Sequence, residues 1–145
     1  MRVRATIVIE AVIAADPRYE AETVMAEQPI PDVSDEDVKR IAVREFGDAQ
    51  VALVLSILEE FGKQAWNRPD PRVKLAILKL AQGDLDRLLD ETQTAIQDYR
   101  DVLSKAEYPR YTREIGFDDV PATVQQAVID DDWRQYHEWL QRRSA

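Results

Sequence analysis

Mostly apolar residues recur at alternating intervals of three and four between residues 85 and 106, and this spacing constrains the fold more than any other feature of the chain. The stripe consists of Leu85, Leu88, Thr92, Ala95, Tyr99, Val102 and Ala106, and Leu89, Ile96 and Leu103 widen it. At about 3.6 residues per helical turn, these side chains share one side of a helix, and polar side chains cover the other. The pattern predicts a long amphipathic helix, residues 84–107, facing the core of a bundle.

Three further helices are predicted from breakers and caps that precede apolar segments. Ser34, followed by three acidic residues, is a typical N-cap and begins a helix that runs to about residue 46. Residues 51–61 are almost entirely apolar, so we expect them to form the central and most buried helix. Pro71 suits the first turn of another helix, which Gly83 ends.

The last third of the chain is expected to contain an ordered connection and two helices. Residues 109–119 include side chains too apolar to leave in water, so the connection is expected to pack. Pro121 begins a short helix to about residue 129. The run Asp130, Asp131 and Asp132 is then expected to lead into a final helix, with the carboxylates favoured at its amino end.

Residues 1–33 differ from the rest because apolar and polar residues alternate there and β-branched residues are frequent. The apolar positions of the alternation are Val3, Ala5, Ile7 and Ile9. The alternation predicts a strand, with residues 22–26 as its nearest pairing candidate. A helix, or a strand that pairs with another subunit, is the alternative.

The predicted fold is therefore mainly α: one domain, a bundle of about five to six helices with a short N-terminal β-strand or hairpin. Residues 1–33 form an arm that packs on the same domain, and residues 34–145 form the bundle.

Charge and composition narrow the classes of function. The chain has 145 residues, of which 28 are acidic and 19 basic, so its formal net charge is -9. This charge disfavours nucleic acid and anionic lipid and favours basic or neutral protein partners. The chain has no cysteine, which excludes disulfides and thiolate zinc sites and is typical of a reducing cytoplasm. Glu10 interrupts the only segment that resembles a signal peptide, so we expect a cytoplasmic protein without a membrane span.

The motifs for catalysis and for cofactor or metal binding are weak. His137 is the single histidine, and Arg134 stands where a carboxylate-bridged metal bundle would have glutamate. The aspartate run lacks the spacing of a calcium loop, and no glycine-rich phosphate loop occurs. The sequence predicts no cofactor and no metal. An enzyme would have to use Glu59, Glu60, His137 or Glu138 in a cleft that the sequence does not reveal.

Large aromatic side chains are concentrated in the last third of the chain. They are Tyr99, Tyr108, Tyr111, Phe117, Trp133, Tyr136 and Trp139. Such rings either seal a core or anchor a partner, because they combine a large apolar area with a polar tip. The candidate interaction surface consists of Tyr108, Tyr111, Trp133, Tyr136 and Trp139.

Four segments of the chain resemble a group of small, acidic, uncharacterised bacterial proteins. The resemblance covers residues 72–86, 98–103, 106–109 and 132–140, about half of the chain once the intervening residues are included, and leaves out residues 1–33. It implies a helical fold and no particular activity.

The function expected from the sequence is that of a non-enzymatic interaction protein that forms homo-oligomers. Its basis is the wide apolar stripe, the apolar segment 51–61 and the aromatic cluster. The first alternative is an acidic inhibitor, such as an immunity protein or antitoxin, that binds a basic protein. The second alternative is an enzyme with an unrecognised site.

Overall fold

A computed structural model of the protein describes residues 2–5, 27–63, 70–115 and 120–143. Within these residues the chain forms five α-helices, two short strands and a π-helical turn, Tyr111–Ile115. The helices are α1 (Asp35–Phe46), α2 (Val51–Gly62), α3 (Pro71–Ala81), α4 (Leu85–Glu107) and α5 (Ala122–Gln141). The expected mainly α-helical bundle is confirmed. None of the helices in the described ranges is both long enough and apolar enough to cross a membrane.

A strand near the amino terminus is also confirmed, and it pairs with a second strand. Strand β1 (Arg2–Ala5) pairs antiparallel with β2 (Pro29–Asp32), so that Arg2 lies opposite Asp32. Residues 22–26, the expected partner, lie outside the described residues. Pro29 and Pro31 of β2 are two residues apart, so their missing N–H groups fall on one edge of the strand, and the N–H groups of Ile30 and Asp32 point to the other edge. Prolines at alternate positions are therefore compatible with a strand.

The arm is attached to the bundle by side chains from two later helical segments. The Tyr108 hydroxyl donates a hydrogen bond to the carbonyl oxygen of Pro29. Gln126 on α5 accepts from the Glu27 N–H at 2.7 Å and donates to the Glu27 carbonyl oxygen at 3.0 Å. Residues 27–29 are therefore tied to the bundle through their backbone.

The most buried helix is α3, which corrects the expectation for residues 51–61. The buried side chains of α3 are Val73, Leu75, Ala76, Ile77, Leu78 and Ala81. In α2, Val54, Leu58 and Phe61 are buried, but Leu53 remains 53% exposed. Helix α3 packs along α4 and against α1, whereas α2 keeps one side exposed. The apolar composition of a segment does not by itself reveal how many neighbours cover it.

The turn between α3 and α4 depends on glycine. Gln82 and Gly83 both adopt positive φ, 52° and 76°. A Cβ atom on Gly83 would lie 3.0 Å from the carbonyl oxygen of Glu45 at the end of α1. Glycine is required here because both the backbone conformation and the close approach of α1 disfavour a side chain.

Helix α4 is interrupted at Asp98, whose φ and ψ are −155° and 94°. The Asp98 carboxylate accepts a hydrogen bond from the backbone N–H of Arg100 at 3.1 Å, so it caps the second half of the helix. The apolar stripe is buried on both sides of this kink, but Tyr99 beside it is 41% exposed. The long helix is therefore present, but the assignment of Tyr99 to its core-facing stripe was wrong.

Helix α5 is continuous from Ala122 to Gln141, so the expected break at the three aspartates was also wrong. Asp132 is buried, and its carboxylate accepts from the N–H groups of Arg110, at 3.4 Å, and Tyr111, at 2.9 Å. The carboxylate thus caps the start of the π-helical turn, a different segment from the one expected. The helix can continue through the three consecutive aspartates because each carboxylate accepts hydrogen bonds from other protein groups.

Candidate functional site

The five residues of the predicted interaction surface divide into two groups. Tyr108, Tyr136 and Trp139 are buried by their own chain, and the rings of Tyr136 and Trp139 stack with centroids 5.6 Å apart. Tyr111 and Trp133 are partly exposed. Their two rings are therefore the part of this surface that remains accessible to a partner.

A buried ion pair joins α3 to the last turn of α4. The guanidinium group of Arg72 donates two hydrogen bonds to the Glu107 carboxylate, at 2.8 and 2.7 Å. The Glu107 side chain is 1% exposed and that of Arg72 27%. Burial raises the pKa of Glu107 and outweighs the opposite effect of Arg72. The two-pronged geometry identifies an ionised pair that fixes α4 on α3.

Lys79 is a second partly buried cation on α3. Its ammonium group donates to the carbonyl oxygen of Ala106 at 2.7 Å and lies 5.4 Å from the centroid of the Tyr136 ring. Burial lowers the pKa of Lys79, although Asp132 and Glu107 partly oppose the shift. Arg72 and Lys79, two turns apart on α3, therefore both bind the last turn of α4.

Two buried tyrosines lie next to this network. Burial raises the pKa of Tyr108 and of Tyr136, so both phenols stay protonated at neutral pH. The Tyr136 hydroxyl has no hydrogen-bond partner among the described residues. The Tyr108 hydroxyl is hydrogen-bonded to Pro29, so the Tyr136 hydroxyl is the unsatisfied one of the two.

Four helices end around a groove of about 520 Å³. Its lining residues come from the last turns or C-caps of α1, α3, α4 and α5 and from the residues just beyond α4. They are Glu45, Lys79, Leu80, Gln82, Lys105, Pro109, Trp139 and Arg142. Arg44 stacks on the lining residue Trp139, with its guanidinium carbon 4.9 Å from the ring centroid. The groove therefore combines basic groups with an aromatic and aliphatic wall.

Basic side chains from neighbouring helices cap the carbonyl groups around this groove. Arg44 donates to the carbonyl oxygens of Trp139 and Arg142, at 2.6 and 2.7 Å, and Arg40 donates to that of Leu140 at 2.8 Å. Cations are stabilising at helix carboxyl ends, where the carbonyl groups lack partners within the helix. The contacts explain why α1 carries two arginines four residues apart.

The acid and base candidates from the sequence lie on separate helices. Glu59 and Glu60 are exposed on α2, and Glu60 pairs with Lys63 at 2.7 Å. Glu138 on α5 pairs with Arg134 at 3.2 Å. The ring centroid of His137 lies 5.9 Å from that of Trp133. Helices α2 and α5 do not pack extensively on each other in the described part of the chain.

The three consecutive aspartates are each held by protein groups. Asp131 bonds to Arg134 at 2.7 Å and to Gln135 at 2.9 Å, and Asp130 accepts from Gln126 at 2.8 Å. Across residues 27–63, 70–115 and 120–143, the acidic and histidine side chains form no group that could hold a metal ion.

Sequence reasoning missed Arg72, Lys79 and Glu107. The sequence contained one signal for the position of Glu107. Leu89, Ile96 and Leu103 recur every seven residues along one flank of the helix, and Glu107 follows Leu103 by four residues, which places it on the same flank. The partners on α3 gave no signal, since the contacts span 27 and 35 residues of sequence.

Large apolar side chains are exposed on three helices. They are Leu53 on α2, Leu89 and Tyr99 on α4, and Val124 on α5. Helices α2 and α4 pack against each other. Leu89 continues a half-buried flank of α4 that also contains Leu85 and Ile96. Leu89 therefore carries the apolar flank of α4 out to the solvent.

No family model matches the chain, and no curated protein or solved structure in the comparisons matches it either. The resemblance to small acidic bacterial proteins therefore stays a prediction. The function has to be argued from the geometry of this chain.

Proposed function

We propose that the protein is a non-enzymatic interaction protein of the cytoplasm that self-associates through the outer faces of α2 and α4. The observation that carries the proposal is the exposure of Leu53 and Leu89, 53% and 49%, on two helices that pack together. Exposed leucines gain free energy when a second surface covers them, about 25 cal/mol per Å² of apolar area.

The half-buried flank of α4 supports the proposal. Leu89 lies one turn after Leu85, and Ile96 lies two turns after Leu89. All three side chains share one side of α4, next to the core stripe. A second chain that covers Leu89 would extend the apolar contact continuously from the core to the partner. Such continuity is typical of interfaces between identical subunits.

Acidic residues on the same two helices determine how the association should respond to salt. Asp86 lies three residues before Leu89 and Asp90 one residue after it. Glu59 and Glu60 lie on α2, at the opposite end from Leu53. Two copies that meet through this surface bring like charges together. Salt screens that repulsion, so we expect self-association to strengthen as ionic strength rises.

Light scattering coupled to gel filtration tests the proposal over a range of protein concentrations at low and high salt. We expect a mass above the 16.7 kDa of one chain that increases with concentration and with salt. Leu89→Gln should return the protein to the monomer mass. Val124→Gln, a matched change at a residue equally exposed on α5, should not. A monomer under all conditions contradicts the proposal.

A second candidate function is inhibition of a basic protein, as in immunity proteins and antitoxins. The acidic residues beside Leu89 favour it, since a basic partner would neutralise them while covering the leucine. Salt has the opposite effect on this interaction, because screening weakens attraction between unlike charges. A complex purified from the native cell at low salt and lost at high salt supports this candidate. A self-association that salt strengthens supports the first.

A further inference from the structure

The groove at the helix ends concentrates positive charge on a chain whose formal net charge is -9. Lys79, Lys105 and Arg142 line it, and Arg44 borders it through Trp139. Glu45 is the only acidic residue among the lining residues that the structure describes. The groove is therefore a basic region, contributed by the ends of four helices, on a chain that is acidic as a whole.

Helix-end capping accounts for only part of this charge. Lys79 and Arg44 donate to carbonyl groups at helix ends, but Nη2 of Arg44 is buried with no hydrogen-bond partner among the described residues. The Arg44 side chain is 4% exposed, and its Nε forms an ion pair with Glu45 at 3.5 Å. Lys105 is paired with Asp101 at 3.0 Å, and both side chains are about half exposed. Three cations and one carboxylate line the described part of the groove, so its lining has a net positive charge.

The local electrostatics favour an additional negative charge. Burial lowers the pKa of Arg44, and the nearby Arg142 and Arg40 lower it further, while Glu45 opposes the shift. Burial likewise lowers the pKa of Lys79. An anion in the groove would offset the desolvation of both cations, because an opposite charge favours their protonated forms.

The rest of the wall suits an apolar group. Leu80, Pro109 and Trp139 lie among the basic residues, and the volume of about 520 Å³ is in the range of small-molecule sites. We propose that this groove binds a small organic anion, a carboxylate or phosphate carried on an aromatic or aliphatic body. Lys79, Lys105 and Arg142 would contact the anionic group, and Leu80 and Pro109 would pack against the apolar body. This site is separate from the proposed self-association surface.

Chemical-shift mapping by NMR tests the proposal with benzoate, phenyl phosphate, inorganic phosphate and the neutral analogue benzyl alcohol. We expect benzoate or phenyl phosphate to shift the signals of Gln82, Lys105 and the Trp139 indole to saturation. The better of the two identifies the anionic group. Inorganic phosphate and benzyl alcohol should each bind at least about tenfold more weakly, since each lacks one half of the recognised chemistry.

A double variant, Lys105→Gln with Arg142→Gln, removes two exposed charges from the groove without touching the core. It should weaken binding of the preferred anion by about tenfold. The matched control, Lys63→Gln with Arg100→Gln, also removes two cations that are paired on the surface and should leave binding unchanged. The proposal is overturned if neither organic anion shifts the groove signals, if benzyl alcohol binds as well as the anions, or if the double variant binds like the wild type.

Discussion

Removal of the Arg72 guanidinium tests whether the Arg72–Glu107 pair fixes α4 on α3. In Arg72→Met the apolar stem is retained, but the Glu107 carboxylate, 1% exposed, loses both hydrogen bonds. Breaking a buried pair from one side costs about 3–5 kcal/mol. Because Arg72 is 27% exposed and water can reach it, we expect the lower end, about 3 kcal/mol.

Urea unfolding followed by circular dichroism measures this change. With a slope of about 2 kcal/mol per M, the midpoint should fall by about 1.5 M. The double variant Arg72→Met with Glu107→Leu should recover most of the loss, because an apolar pair replaces the uncompensated charge. As a control, Arg134→Met breaks exposed ion pairs on α5 and should leave the unfolding midpoint almost unchanged.

Acid should reduce the deficit of Arg72→Met. Burial already raises the pKa of Glu107, and loss of the opposing Arg72 raises it further. A carboxyl whose folded-state pKa exceeds its unfolded value takes up a proton in the folded state first, so relative stability increases as pH falls through the folded-state pKa. The reasoning is refuted if Arg72→Met unfolds within about 1 kcal/mol of the wild type at neutral pH, or if the double variant is no more stable than the single one.

Three further predictions concern single carboxylates. Asp132→Ala should destabilise the protein by about 1–3 kcal/mol in urea unfolding, because two partly buried N–H groups lose their acceptor. Asp130→Ala should have a far smaller effect, and equal effects would contradict the capping role. Asp98→Ala should lower the free energy of unfolding by about 0.5–2 kcal/mol in the same assay, since it removes the cap inside α4. Unchanged stability would show that the kink does not need this cap. Hydrogen bonds from Arg134 lower the pKa of Asp131, so the stabilisation from this pair is present at neutral pH and is lost as pH falls through the lowered pKa. Arg134→Gln should move the Asp131 pKa, measured by carboxyl-carbon NMR, up towards its usual value, and an unmoved titration would assign the shift to another group.

Local signals predicted the parts of the fold that depend on local interactions. The long helix was expected to begin at residue 84, and the Asp84 carboxylate caps it by accepting from the N–H groups of Asp86 and Arg87. The helix after Ser34 ends at Phe46, before Gly47, which adopts a positive φ. These features lie within a few residues of the signal, so propensity and capping suffice to predict them.

The errors arose where tertiary contacts outweigh local preference. The three aspartates were read as a helix start, but the partly buried N–H groups of Arg110 and Tyr111 bind the Asp132 carboxylate, and α5 continues through the run. The pattern of α4 continues through Asp98 unchanged, so periodicity alone did not reveal the kink. The groove is built from helix ends that are far apart in sequence, and no local motif identifies such a site.

The central claim, that the outer faces of α2 and α4 bind a second copy, is tested most directly by isotope-filtered NMR on a mixture of labelled and unlabelled chains. The account predicts cross-chain contacts from the methyl groups of Leu53 and Leu89 at high protein concentration and high salt. Cross-chain contacts confined to other surfaces, or none at all under those conditions, would contradict it.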